Sequence, residues 1–231
     1  MVYSFACVGF AQEKVLIHDP NARMRTVSGF SAIEVQHGID LYLSQGSQEA
    51  IAVSAAKPDF RDKIKCEVRE GVLHLWYEDK ALFNNAENKK LKAYITVSTL
   101  RRIRASGGSD VYVAGTLKQQ DLELQMSGAS EFRGKVSCTD LKIANSGASG
   151  LEISGDAQNT TIDLGGASDF KGYDFTTASC DIHATGASDV KITVSRELRV
   201  QATGASHIFY RGQAVEKNVH VSGASTVRRR S

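Results

Sequence analysis

Serine is the residue type that first invites a chemical reading of this chain, because one short phrase ending in it recurs seven times. The phrase reads Ser106-Gly-Gly-Ser109, Ser127-Gly-Ala-Ser130, Ser146-Gly-Ala-Ser149, Gly165-Gly-Ala-Ser168, Thr185-Gly-Ala-Ser188, Thr203-Gly-Ala-Ser206 and Ser222-Gly-Ala-Ser225. A nucleophilic serine needs a base within hydrogen-bond reach and a third group that orients the base. No His or Asp recurs beside the phrase in that arrangement, so the serines read as structural corners rather than as nucleophiles or a ligand array. One residue after the phrase stand Asp110, Glu131, Gly150, Asp169, Asp189, His207 and Thr226. Acids at a repeat spacing suggest a calcium ladder, but the column is interrupted and the glycine-aspartate nonapeptide of calcium-binding β-rolls is absent. Asp169 and Asp189, with Glu131 and Glu152, are also the acids on which a polysaccharide-cleaving site would draw. They alternate with Arg and Lys, and no cleft-forming insertion stands above them. No catalytic residue, metal or cofactor is expected. The candidate binding surface is Trp76, Tyr77, Asp110, Tyr112, Asp169 and Asp189. Trp76 and Tyr77 would either stack on sugar rings or pack half-buried on a strand, and their sequence leaves both open.

These residues must be positioned by the repeat. The first glycines of the phrase are Gly107, Gly128, Gly147, Gly166, Gly186, Gly204 and Gly223, at steps of 21, 19, 19, 20, 18 and 19 residues. A fixed period of this length marks a solenoid whose coils stack on one another. Four residues after each first glycine stand Val111, Phe132, Leu151, Phe170, Val190, Ile208 and Val227, all apolar. Four before the next stand Leu124, Ile143, Ile162, Ile182, Val200 and Val219, again all apolar. Two before it the column is apolar except for Asn145, which would need hydrogen-bond partners if it points inward. A spacing of two between inward columns is the strand period. Each coil is therefore expected to carry one strand ending just before the phrase (Leu141–Asn145) and a second following it (Glu131–Arg133). The phrase makes the bend between them, where glycine supplies backbone angles closed to other residues and serine hydroxyls bond to leftover backbone groups.

The first hundred residues echo the coil. Ile33–Leu43 aligns with Ile103–Val113, and alternating stretches follow at Ala50–Val53, Ile64–Val68, Val72–Tyr77 and Ala93–Val97. Arg69-Glu70-Gly71 reads as a hairpin turn. The opening coils are thus expected to be longer, with some antiparallel pairing, and to cap one end against edge-to-edge aggregation. Glu78–Leu91 is polar, without period, and is the candidate loop. The fold class is all-β, a parallel β-helix-like solenoid of about 19-residue coils. Residues 1–11 read as a truncated signal peptide and 12–231 as a single β-solenoid domain, irregular over 30–100 and regular over 101–231. With 28 basic and 26 acidic residues, net +2, no nucleic-acid partner is expected, and the basic groups at Arg101–Arg104 and Arg228–Arg230 read as solvated ends. Apart from Cys7, the cysteines are Cys66, Cys138 and Cys180, an odd number that argues against a disulfide framework in an exported chain and a spacing unlike a metal site. No stretch is long enough to cross a membrane as a helix.

One family likeness is carried by Phe30–Val35, Gly38-Ile-Asp40-Leu-Tyr-Leu43-Ser-Gln-Gly46, Gly71–Leu75, Ala93–Val97, Leu100–Val111 and the phrases that follow. In these the chain resembles the auto-transporter adhesin head GIN domain proteins common among Bacteroidetes. The likeness runs from about Phe30 onward. It implies a β-helix-like fold and export to the envelope or beyond, and it supplies no catalytic or ligand motif. The expected function is that of an exported, non-enzymatic solenoid acting as an adhesin or surface-binding scaffold, with an extracellular glycan or envelope protein as its partner. A polysaccharide-active β-helix enzyme and a purely structural envelope protein are the alternatives.

Overall fold

A computed structural model describes residues 19–78 and 88–230. The expected signal peptide and most of the Glu78–Leu91 loop lie outside the described residues. In chain order the elements are β1 (Arg23–Arg25), β2 (Ala32–Val35), β3 (Asp40–Gln45), β4 (Ala50–Ser54), a one-turn helix α1 (Pro58–Arg61), β5 (Ile64–Arg69), β6 (Val72–Tyr77), β7 (Lys92–Val97) and β8 (Arg102–Ala105). Then follow β9 (Val111–Lys118), β10 (Asp121–Met126), β11 (Glu131–Asn145), β12 (Gly150–Leu164), β13 (Asp169–Ala184), β14 (Asp189–Ala202), β15 (His207–Arg211), β16 (Val215–Val221) and β17 (Thr226–Arg229).

From β8 onward each coil pairs in parallel with the next, and the registers are those of the apolar columns. Val111, Phe132, Leu151, Phe170, Val190, Ile208 and Val227 stand opposite one another in turn. So do Ile103, Leu124, Ile143, Ile162, Ile182, Val200 and Val219. All but the last member of each column are buried in one continuous core. Each such side chain contributes about 1.5–3 kcal/mol by leaving water, so the stack is held by the columns rather than by any single coil.

The two short strands expected in each coil are in fact joined. In β11, β12, β13 and β14 the extended chain runs for 15, 15, 16 and 14 residues without a break. The bend between the two legs is marked by paired outward residues such as Thr139–Asp140 and Gln158–Asn159. Cys138 stays opposite Ala157 and Asp140 opposite Asn159 across this bend. The chain thus turns without leaving its ladder, because its backbone groups still find partners on the next coil. The unequal coil lengths are absorbed by irregularities such as those between Glu152 and Gly155 and between Gly172 and Thr176. Beneath two of these coils the core is filled in a way the columns did not reveal. In Phe170-Lys-Gly172 the ring fills the space under its own strand's glycine, where a Cβ would lie 2.5 Å from it, and at Gly134 a Cβ would lie 2.7 Å from Val113 on the adjacent strand and 3.3 Å from the Phe132 ring.

The N-terminal echo is a literal neighbour. Ile33 stands opposite Ile103 and Leu41 opposite Val111. Beyond this coil the chain order departs from the stacking order. β2 lies between β8 and β6, and β3 between β9 and β7. The chain runs out to form the end of the stack and then returns to continue it. The end is closed by antiparallel pairs: β5 on β6, β4 on β7 and β1 on β4. Glu70 and Gly71 have φ of 51° and 74°, the left-handed pair that a two-residue hairpin turn requires.

Candidate functional site

The Gly-Ala-Ser phrase builds corners. Gly147, Gly166, Gly186, Gly204 and Gly223 have φ between 70° and 81°. A Cβ on any of them would lie 2.4–2.7 Å from the carbonyl oxygen of the glycine one coil before. That oxygen accepts the N–H of the following alanine, at 2.8 Å for Ala187 to Gly166 and 2.7 Å for Ala205 to Gly186. Glycine is thus demanded twice, by backbone angle and by the approach of the neighbouring coil. The serines Ser109, Ser130, Ser168, Ser188 and Ser206 have no exposed surface and Ser149 has 2%. Ser149, Ser168, Ser188 and Ser206 donate to the carbonyls of Ser146, Gly165, Thr185 and Thr203, at 2.8, 2.6, 2.9 and 3.1 Å. The Ser109, Ser130 and Ser225 hydroxyls accept backbone N–H groups from Ile39, Ser109 and Ser206. Each of these hydroxyls has a backbone partner, and six of the seven serines are closed off from solvent. Asn145 points inward as its column requires, is 3% exposed, and donates to the Ser149 carbonyl at 3.0 Å.

The variable residues gather on the face that follows the phrase. One outward column runs Tyr94, Tyr42, Tyr112, Arg133, Glu152, Lys171, Lys191, Phe209, Arg228 across nine adjacent strands. Beside it run Glu131, Gly150, Asp169, Asp189, His207 and Thr226, and Asp110 and Asp40 continue that line toward the N-terminal end. Tyr42 lies between Tyr94 and Tyr112 with both ring-centroid distances 5.2 Å, close to the strand spacing of about 4.8 Å. Both neighbours of the Tyr42 ring along the axis are therefore rings. Tyr94 donates to Asp19 at 2.9 Å and Tyr112 to Asp110 at 3.3 Å. Asp110 also accepts the Glu131 N–H at 2.9 Å. Burial, and then the charge of Asp110, push the neighbouring Asp40 carboxyl above its ordinary value.

Past the tyrosines the same face forms an open groove of about 780 Å³. Its charged lining is Arg133, Lys135, Glu152, Lys171, Asp174 and Lys191, four cations to two carboxylates. Arg133 holds Glu131 at 2.7 Å and Glu152 at 3.8 Å. Lys135, Lys171 and Lys191 make no ion pair among the described residues. Asp110, Tyr112, Asp169 and Asp189 are thus brought onto one face. Tyr42, Tyr94 and the lysines complete that face and are not among the residues expected on it. Their signal was present in Leu41-Tyr-Leu43, Ala93-Tyr-Ile95 and Val111-Tyr-Val113, an inward-outward-inward triplet repeated on three neighbouring strands.

Trp76 and Tyr77 do not join them. Tyr77 is 1% exposed and belongs to the core, so it is removed from the binding surface; β6 alternates inward and outward, and Tyr77 falls on the inward phase with Leu73 and Leu75. Trp76 takes the outward phase with His74, on the sheet face that precedes the phrase. That second face carries His183, whose Nδ1 lies 3.0 Å from Asp163 and whose Nε2 lies 3.7 Å from Asp181. Thr185, in the groove beside it, donates its hydroxyl to the Leu164 carbonyl at 3.1 Å. Burial raises the thiols of Cys66 and Cys138 to about 11 and raises Cys180 further, so all three stay protonated and poor nucleophiles at neutral pH. Among the described residues no cluster of His, Cys, Asp and Glu is placed to hold a metal ion, and no helix is long and apolar enough to cross a membrane.

A family model described as "Putative auto-transporter adhesin, head GIN domain" matches residues 29–214. Among solved structures, a "putative adhesin" from Bacteroides fragilis is 21% identical, with 90% of this chain and 95% of that chain covered and a TM-score of 0.81. A "putative adhesin" from Parabacteroides merdae is 16% identical over 91% of this chain and 95% of its own, with a TM-score of 0.70. A "putative lipid binding protein" from Parabacteroides distasonis is 16% identical over 93% and 98%, with a TM-score of 0.69. At these identities the likeness is one of fold. Comparison with curated proteins gave no match.

Proposed function

The chain belongs to the auto-transporter adhesin head GIN domain family, and from that premise we propose that it is an exported, non-enzymatic β-solenoid that binds an extended surface partner. The site of binding is the outward face after the phrase. The observation that carries the reading is the register: side chains of varied chemistry, from Tyr94 to Arg228, are lined up coil by coil on a rigid frame. Such a face suits a partner that is itself long, because every rung adds a contact at no further cost in ordering the protein. Asp169 and Asp189 stand directly opposite one another on adjacent strands, in an open stripe rather than across a cleft, which favours recognition over bond cleavage.

The test is to offer the labelled protein to a glycan array and to intact bacterial cells. Saturable binding is expected. It should fall in Arg133→Ala/Lys171→Ala and persist in Lys142→Ala, whose side chain is exposed on the leg preceding the phrase. Absence of binding above background on both surfaces would sink the reading.

A further inference from the structure

The cations on this face line up along the solenoid in a way that the sequence scatters over a hundred residues. Arg133, Lys171, Lys191 and Arg228 share one column. Lys135 begins a second line, displaced by two residues, and Arg211 ends near it, opposite Thr193 of β14. The Arg230 N–H bonds to the Tyr210 carbonyl, which sets the C-terminal arginines beside Arg211 rather than in a free tail. The rings between them join the groove to this end. The Arg211 guanidinium lies 4.1 Å from the centroid of Tyr173, a groove residue, and Arg230 lies 4.6 Å from that of Phe209. From β11 through β12, β13, β14 and β15 to β17 is five steps, or about 24 Å at the usual strand spacing.

We propose that this stripe binds an acidic polysaccharide laid along the solenoid axis. The inference rests on the surface-binding reading above and names the class of its partner. Lys135, Lys171 and Lys191 make no ion pair among the described residues, on a surface that is already concave. The Arg211 and Arg230 guanidiniums are held against the Tyr173 and Phe209 rings, and a guanidinium is the group that takes a carboxylate or sulfate with two parallel bonds. The parallel acidic line of Glu131, Asp169 and Asp189 decides between polyanions. Its carboxylates accept sugar hydroxyls, which a polysaccharide carries on every unit. They would repel a duplex with a phosphate charge about every 1.7 Å, and an acidic peptide offers few hydroxyls to offset the same repulsion.

The experiment is calorimetric titration of the full chain with alginate, a polyuronate, alongside neutral dextran, poly-glutamate and single-stranded DNA. Alginate should bind saturably, with affinity falling as salt rises, and dextran should not. Lys171→Gln/Lys191→Gln should weaken alginate roughly tenfold, while Lys142→Gln leaves it unchanged. Matching urea midpoints would show that both variants remain folded. The proposal is overturned if alginate does not bind, if the lysine variant binds as the wild type does, or if poly-glutamate or DNA binds as tightly as alginate. Binding to a neutral glycan on the array without binding to alginate would overturn this inference and leave the surface-binding reading standing.

Discussion

Replacing Gly186 by alanine tests why the repeat keeps its glycine, and Gly71→Ala is the matched control. Both residues are left-handed, with φ of 78° and 74°. An L-residue pays about 1–2 kcal/mol for that conformation at either site, and the stiffening of the unfolded chain is the same for both. Their surroundings differ. A Cβ at Gly71 meets nothing within 4 Å, whereas at Gly186 it would stand 2.4 Å from the Gly166 carbonyl oxygen and 3.1 Å from its nitrogen. The same oxygen accepts the Ala187 N–H at 2.8 Å, so relief of the overlap must stretch a coil-to-coil hydrogen bond. Overpacking of this kind costs about 1–3 kcal/mol and a weakened backbone bond up to about 1. Gly186→Ala should therefore lose about 2–6 kcal/mol and Gly71→Ala about 1–2. The assay is urea unfolding followed both by far-UV circular dichroism and by the fluorescence of Trp76, the one tryptophan. Coincident transitions would validate a single free energy, and an unchanged slope would assign the midpoint shift to stability. Equal losses in the two variants would refute the contact between coils as the reason for the glycine.

Two further outcomes follow from the packing and the charges. Asp40→Asn should stabilise the protein at neutral pH, because burial and Asp110 raise the folded pKa above its ordinary 3.8. Between those two values the native state holds the extra proton and stability falls as pH rises, so the advantage of the variant should shrink on acidification and vanish below the ordinary value; an advantage constant from neutral to acid pH would contradict this. Gly172→Ala should cost about 1–3 kcal/mol through the Phe170 ring, and a Phe170→Leu background should relieve it. A double-mutant cycle measured by urea unfolding should show coupling above about 0.5 kcal/mol, and strict additivity would show that the ring does not fill that space.

Much of this architecture was written in the order of residues. The apolar columns at four before and four after the glycine gave the coil, its register and its core. That is possible because a solenoid makes sequence distance and spatial distance nearly the same thing: residues about 19 apart are neighbours. Ile33 and Ile103, 70 residues apart, could be matched by the same likeness of pattern, and they stack. The corner role of the phrase was legible too, since glycine and small residues at a fixed step have few other uses. What was not legible is where period and pattern give no constraint. The excursion of β4 to β7 around the first coil reverses the stacking order, and a strand pattern looks the same whichever side its partner lies on. Trp76 and Tyr77 enter the candidate surface together as adjacent aromatics, although the alternation of Leu73, His74 and Leu75 before them already sends Trp76 outward and Tyr77 into the core.

The sequence by itself determined the β-solenoid, its period and the residues that face inward, because burial and the two-residue strand repeat act on neighbours along the chain. Only the tertiary structure decided the face. Arg133, Lys171, Lys191 and Arg228 each stand five residues after their coil's first glycine, so their column is written in the period; that the lysines on it make no ion pair among the described residues and line a groove is not. Which charges meet a partner depends on how bulges and unequal coils absorb their extra residues, and the ladder of hydrogen bonds between coils settles that.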